Sequence, residues 1–379
     1  METRVSSFEL FFDLVFVFAF TQVTASVAHE PTWAALGHGV LAFAMLWWAW
    51  GAYAWLTNTV PTDQVAPRLV ILAAMASMLV AALAVPGAFD DSGPAFGIAY
   101  MVVMVLHAAL FALASATGDP EQTRRAILHL AATNLLAAAV LIVAGFADGT
   151  PQTVLWVATV AVTYAGPFLT GVGGFTVSPA HFVERHGLIV LIALGESIVA
   201  IGAGQVEDVD WPVAATAVVA IALVAGLWWT YFDGEADLTE QVLHTTEGPD
   251  RSRLARDVYS YLHIPIVLGV VLVALGIKAT LAHSGEPLDE VVATALGGGV
   301  ALYFAALTAI AWRRGSRPDV AYLVAVVLGL AAIPLAQEID AVWSLAALAA
   351  TGLGAAAIGR SHRIRSSPDS DPALDGTTA

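Results

Sequence analysis

Glu9 and Asp13 lie four residues apart inside Phe8-Glu-Leu-Phe-Phe-Asp-Leu-Val-Phe-Val-Phe-Ala-Phe20, a stretch otherwise apolar enough to cross a bilayer. Four residues is about one helical turn, so both carboxylates project from one face. An ionised acid facing hydrocarbon costs at least a few kcal/mol, and neighbouring carboxylates repel each other. The pair must therefore face protein, enclosed water or a cation. Such a face suits the binding of a proton or a cation.

A second unusual segment runs from His181 to Val199 and carries Glu184, Arg185, His186 and Glu196. At 1.5 Å per residue, Glu196 lies about 20 Å from the start of this helix, well inside hydrocarbon, and needs a partner, water or a proton. Glu184, Arg185 and His186 sit near the helix's inner end. There an anchoring role, with side chains snorkelling to water, competes with a site role. Asp233 closes the run Leu227-Trp-Trp-Thr-Tyr-Phe-Asp233, where a solvated helix end competes with a site role. In Arg256-Asp-Val-Tyr-Ser-Tyr-Leu-His-Ile-Pro265, Tyr259 and His263 share one face, with His263 about as deep as Asp13. Pro265 lacks a backbone donor and disturbs the preceding turn, freeing a carbonyl for a ligand. His263 can carry a proton among carboxylates, or simply pack against a carbonyl.

The candidate proton- or ion-binding set is thus Glu9, Asp13 and Glu196, supported by Glu184, Asp233 and His263. His107 and Asn134 fall mid-helix and suit interhelical hydrogen bonding. Trp47, Trp48, Trp50 and Trp55 form a packing and interfacial stripe. Thr170 to Gly174 looks superficially like a cation-selective filter, but it sits at a helix end without a re-entrant hairpin. No phosphate-binding glycine loop, nucleophile elbow or convincing haem-ligating histidine pair is present, so no catalytic residue, metal site or cofactor is expected.

The elements that position these groups follow from composition. The chain of 379 residues is 58% hydrophobic and only 12% charged, with mean hydropathy +0.77. Soluble domains carry about twice that charge. Zero cysteines exclude disulfides, thiolate metal sites and iron–sulfur clusters, and a formal charge of −16 argues against nucleic acid. Apolar stretches of about 20 residues predict an all-α polytopic transmembrane bundle of about twelve spans. They fall at 5–27, 33–57, 67–86, 95–117, 124–146, 152–171, 181–204, 211–232, 256–280, 290–312, 319–336 and 341–359. The first span has no cleavage motif and reads as a retained anchor. After Arg360, residues rich in Ser, Asp, Pro and Gly predict a disordered cytoplasmic tail over 360–379.

With the N-terminus in the cytoplasm, inner ends and loops receive Arg4, Arg68, Arg124, Arg185, Arg256, Arg313, Arg360 and their neighbours, while the outer side receives only Lys278. Asp90, Asp91, Asp148, Glu207, Asp208, Asp210, Glu286 and Asp289 fall outside. This sorting predicts an even span count with both termini in the cytoplasm. An internal echo also emerges. Phe8-Glu9 opens span one as Val183-Glu184 opens span seven, Leu46-Trp-Trp48 matches Leu227-Trp-Trp229, and Arg68 matches Arg256. It predicts a parallel repeat, with a first six-helix half over about 5–171 within residues 1–204 and a second over 181–359.

Three stretches resemble one family. Phe8 to Phe18, Glu184-Arg-His-Gly-Leu-Ile with Ala-Leu-Gly-Glu196-Ser-Ile-Val-Ala200, and Arg256 to His263 together are similar to the bacterial low-temperature-requirement protein A family, as is the Leu-Trp-Trp-Thr-Tyr-Phe-Asp233 run. The likeness covers nearly all of the chain before the tail. It implies a multi-pass membrane protein linked by name to growth in the cold, and supplies neither a substrate nor a reaction. The leading expectation is a proton- or cation-coupled transporter or channel, with lipid and a proton or cation as its partners. The alternatives are a membrane-embedded enzyme and a structural or sensor protein for cold adaptation, in which the acids merely hold the bundle together.

Overall fold

In the computed structural model, the described residues are 5–58, 64–115, 121–170, 177–203 and 210–366; they are helical almost throughout and include no strand. The helices are α1 (Ser7–His29), α2 (Trp33–Thr57), α3 (Val65–Ala84), α4 (Gly93–Ser115), α5 (Glu121–Ala144), α6 (Gly149–Thr170) and α7 (Pro179–Ala203). They continue as α8 (Trp211–Thr230), α9 (Ala236–Thr245), α10 (Gly248–Ala255), α11 (His263–Ala282), α12 (Glu290–Arg313), α13 (Val320–Ala336) and α14 (Ala341–Ser366). Two π-helical segments, Tyr231–Glu235 and Arg256–Leu262, weld α8 to α9 and α10 to α11. Among the described residues, ten rods are long and apolar enough to cross a membrane, and residues 130–144 and 320–336 form two shorter apolar helices. The molecule is a polytopic helical membrane bundle, as composition predicted.

Two details depart from the sequence reading. The connection between predicted spans eight and nine is itself helical, extending both rods. Helix α14 runs on to Ser366, past the predicted boundary at 359. Residues 367–379 of the expected tail, residues 171–174 of the filter-like run, and Glu207 and Asp208 lie outside the described residues.

Helix starts are set by side chains that satisfy otherwise orphaned backbone N–H groups. Ser6 caps α1 in a reciprocal box: its Oγ accepts from the Glu9 N–H at 3.3 Å while the Glu9 carboxylate accepts from the Ser6 N–H at 2.9 Å. Thr32, Asp210 and Asp319 cap α2, α8 and α13 from one side, each side chain accepting a backbone N–H. Glycines bring the helices close. A Cβ at Gly226 of α8 would come within 2.7 Å of the Gly352 backbone of α14, and one at Gly269 of α11 within 2.7 Å of the Gly299 carbonyl of α12. Hydrocarbon solvates apolar side chains as well as protein does, so such close backbone approach is what drives association in lipid. The outer surface is correspondingly apolar, with Leu136, Val157, Val218 and Val327 exposed.

Helices α3 to α6 pack in sequence, α1 packs on α2 and α3, and α2 packs on α6. The same pairings recur later: α11 to α14 pack in sequence, α7 packs on α8 and α11, and α8 packs on α14. The two sets meet where α1 lies against α7 and α11. Helices α1 and α7 run parallel and in register. Glu9 meets His181, Asp13 meets Arg185 and Thr24 meets Glu196, each pair separated by 172 residues.

Candidate functional site

The buried stripe of α1 reads Glu9, Asp13, Phe16, Phe20 and Thr24; that of α7 reads His181, Arg185, Ile189, Ala193 and Glu196. Spacings of three and four keep each stripe on one helical face. The seam between them is polar at both ends and apolar in the middle.

At the first end, Arg185 is buried and holds both carboxylates. Its Nη1 donates to Glu9 Oε1 at 2.8 Å and to Thr57 Oγ1 at 2.6 Å, and its Nη2 donates to Asp13 Oδ1 at 3.0 Å. Glu9 Oε1 also lies 3.1 Å from His181 Nε2. Asp13 Oδ1 accepts in addition from the Trp50 indole N–H at 2.9 Å. The network is incompletely satisfied: Asp13 Oδ2, Arg185 Nε and His181 Nδ1 are buried without a partner. Two carboxylates face one obligate cation. One unit of negative charge is thereby left for a proton or a further cation to balance.

At the far end, Glu196 accepts from Thr21 Oγ1 at 2.5 Å and from Thr24 Oγ1 at 3.1 Å. It is buried, and among the described residues no cation forms an ion pair with it, the positive charge acting on it being that of Lys278. Just beyond lies a vestibule of about 530 Å³, whose walls include Ala25, Ala28, His29, Lys278, His283 and Asp289. Eleven residues of rise separate Asp13 from Thr24, so the two stations lie about 16 Å apart. The three acids named together as the candidate binding set do not meet. Glu9 and Asp13 form one cluster, Glu196 forms another, and Phe16, Phe20, Ile189 and Ala193 close the space between.

The expected supporting residues also separate. Glu184 is exposed, and its carboxylate accepts from the Val5 N–H at 3.0 Å. Asp233 is exposed, in a cleft of about 270 Å³ beside Trp229 and Arg360. Neither reaches the seam. The acid turned inward there is Glu235, paired with Arg314. His263 is buried, and both its ring nitrogens are engaged. Its Nδ1 lies 2.9 Å from the Val258 carbonyl, which must accept, so Nε2 accepts from the Tyr231 hydroxyl at 2.8 Å. The carbonyls four and five residues before Pro265 are those of Tyr261 and Ser260, and the Ser260 carbonyl accepts from the Trp47 indole N–H at 3.1 Å. His263 reaches the acid cluster only through ring contacts, packing on His186, which packs on Trp50. His107 and Asn134 do bond between helices, to the Ala52 carbonyl and the Trp48 indole.

Sequence reasoning passed over His181, Thr21, Thr24, Glu235 and Arg314, and left Arg185 between a surface anchor and a site role. One signal for Arg185 and His181 was available. If α1 and α7 start on the same side and pack in register, the two acids of one helix need two bases at matching heights of the other.

Fold and site together define a multi-pass helical membrane protein with a buried ionised cluster between two of its helices. The family model described as bacterial low temperature requirement A protein (LtrA) matches residues 4–357, and the chain belongs to this family. An uncharacterized protein of Rhizobium meliloti (strain 1021) is 30% identical over 320 residues, covering 80% of this chain and 76% of the relative.

Proposed function

We propose that the chain is a proton- or cation-coupled carrier of the bacterial plasma membrane, with both termini in the cytoplasm, in which the α1–α7 seam handles the coupled charge. The observation that carries this reading is the seam's construction. An acid station stands at each end, about 16 Å apart, with an apolar plug between. At the inner station, one proton decides whether the cluster of Glu9, Asp13 and Arg185 is neutral or anionic. Gaining or losing it changes the net charge beside Arg185 in a low-dielectric site, where a unit charge is worth several kcal/mol. Such a change can bias one packing of α1 and α7 against another. Glu196, beneath the vestibule, offers the corresponding acceptor on the other side. A carrier needs a barrier between two stations, and Phe16, Phe20, Ile189 and Ala193 supply one.

The recurring pairing of α1–α6 and α7–α14 supports a parallel repeat, whose relative movement would open the seam from alternate sides. A structural reading rests on one fact: Arg185 grips both acids and so clamps α1 to α7. Flux separates the two readings. Proteoliposomes carrying the protein and an internal pH indicator should dissipate an imposed pH gradient. Glu196→Gln and Asp13→Asn should assemble normally and lose this flux. Wild-type flux in both variants would leave the acids as scaffold.

A further inference from the structure

Away from the seam, a cavity of about 70 Å³ lies between α2, α4, α5, α6 and the π-helical segment Arg256–Leu262. A buried water needs roughly 10–15 Å³ of such space, so the cavity is larger than a hydration site. Three observations bear on its content.

The first is shape. On α2, Trp48, Gly51, Ala52 and Trp55 share one face, so two indoles flank a gap of two small residues. A Cβ at Gly51 would have nothing within 4 Å. Glycine in mid-helix is less stable than alanine, and alanine would fit; room, not close helix contact, is what Gly51 provides.

The second is an unmet hydrogen bond. Asn134, which lines the cavity, is 3% exposed. Its Oδ1 accepts from the Trp48 indole N–H at 3.1 Å, which orients the amide, and its Nδ2 is buried without a partner. A buried donor left unmet is costly; Nδ2 is closed off from the cavity at rest, and a ligand oxygen would meet it by turning the amide toward the space that Asn134 lines.

The third is charge. Among the described residues no carboxylate lines the cavity, and the one cation on its wall, Arg256, already binds Asp257 and lies over the Phe168 ring. The walls therefore neither neutralise a cation nor offer a free charge to an anion. Flat faces of Trp47, Trp55, Phe111 and Tyr261 supply most of the remaining lining, completed by His107, Leu130, Pro167 and Ser260.

We propose that this cavity binds an uncharged, membrane-soluble ring compound bearing a carbonyl oxygen, with the ring between the α2 indoles and the oxygen accepting from Asn134 Nδ2. The proposal is independent of flux along the α1–α7 seam. Menadione is the probe, and 2-methylnaphthalene, the same two rings and methyl group without the oxygens, is its comparison. Radiolabelled menadione should bind the purified protein saturably above detergent micelles alone. It should bind at least about tenfold tighter than 2-methylnaphthalene measured by competition, which corresponds to about 1.4 kcal/mol. Asn134→Leu should bring the two ligands to within about twofold of each other, and Gly51→Leu should abolish binding of both. Gly51→Ala, which the open space tolerates, should retain binding. The comparison of two ligands on the wild-type protein stands even if a variant fails to fold. Absence of saturable menadione binding, equal affinity for the two ligands, or binding that survives in folded Gly51→Leu would overturn the proposal.

Discussion

Replacing Arg185 by methionine removes the cation that both carboxylates of the inner station share. The side chain is 1% exposed, so the loss leaves Glu9 and Asp13 unpaired in a site that water does not reach. Breaking a buried ion pair from one side costs about 3–5 kcal/mol, because the remaining charge keeps its desolvation penalty. Here two charges remain, but each can escape by taking a proton. For a carboxyl group of ordinary pKa near 4, protonation at pH 7 costs about 4 kcal/mol, which caps the penalty per acid. The cap falls by about 1.4 kcal/mol for each pH unit removed, so the variant should regain stability relative to wild type as pH falls from 7 to 5. Exchanging the whole cluster is a different perturbation. Glu9→Gln, Asp13→Asn and Arg185→Met together remove every buried charge while keeping shape, and should return stability to within about 1 kcal/mol of wild type. Equilibrium unfolding by SDS in mixed micelles, followed by circular dichroism, measures all three proteins. A penalty below about 1 kcal/mol for Arg185→Met at pH 7 would refute the picture of a dry, charge-balanced cluster. The same triple variant also tests function. If it is stable and still dissipates a pH gradient, the coupled proton is not held here.

Further outcomes follow from other parts of the bundle. Gly226→Ala should destabilise the protein by about 1–3 kcal/mol, because its Cβ meets the Gly352 backbone at 2.7 Å and α8 and α14 must separate; the same SDS titration reads this. In the cysteine-free chain, Glu286→Cys should react with a membrane-impermeant thiol reagent on intact cells and Ser316→Cys should not; the reverse pattern would invert the orientation inferred from arginine sorting. Residues 1–174 and 175–379, supplied as two co-expressed fragments, should assemble and copurify, since each set of six spans contains its own sequential pairings. Failure of either fragment to reach the membrane without covalent linkage would count against independent halves.

Hydropathy and charge alone determined that this is a helical membrane protein, where its spans lie to within a few residues, and that Glu9, Asp13 and Glu196 turn inward. These are local consequences of desolvation: an acid in an apolar helix has nowhere else to go. What tertiary structure decided is which groups meet. The partners of Glu9 and Asp13 stand 172 and more residues away on α7, and no span of α1 announces that Arg185 crosses to both of them. Helix register separated Glu196 from the other acids, because eleven residues of rise on α7 divide it from Arg185, which holds them. At the end of α8 the local phase itself changed. In a continuous α-helix Asp233 is as plausible an inward acid as Glu235, but the π-helical segment Tyr231–Glu235 widens the turn and resets the face, so Glu235 meets Arg314 and Asp233 faces outward. Burial was therefore written in residue type, whereas pairing was set by register, helix phase and contacts between distant helices, which no single segment encodes.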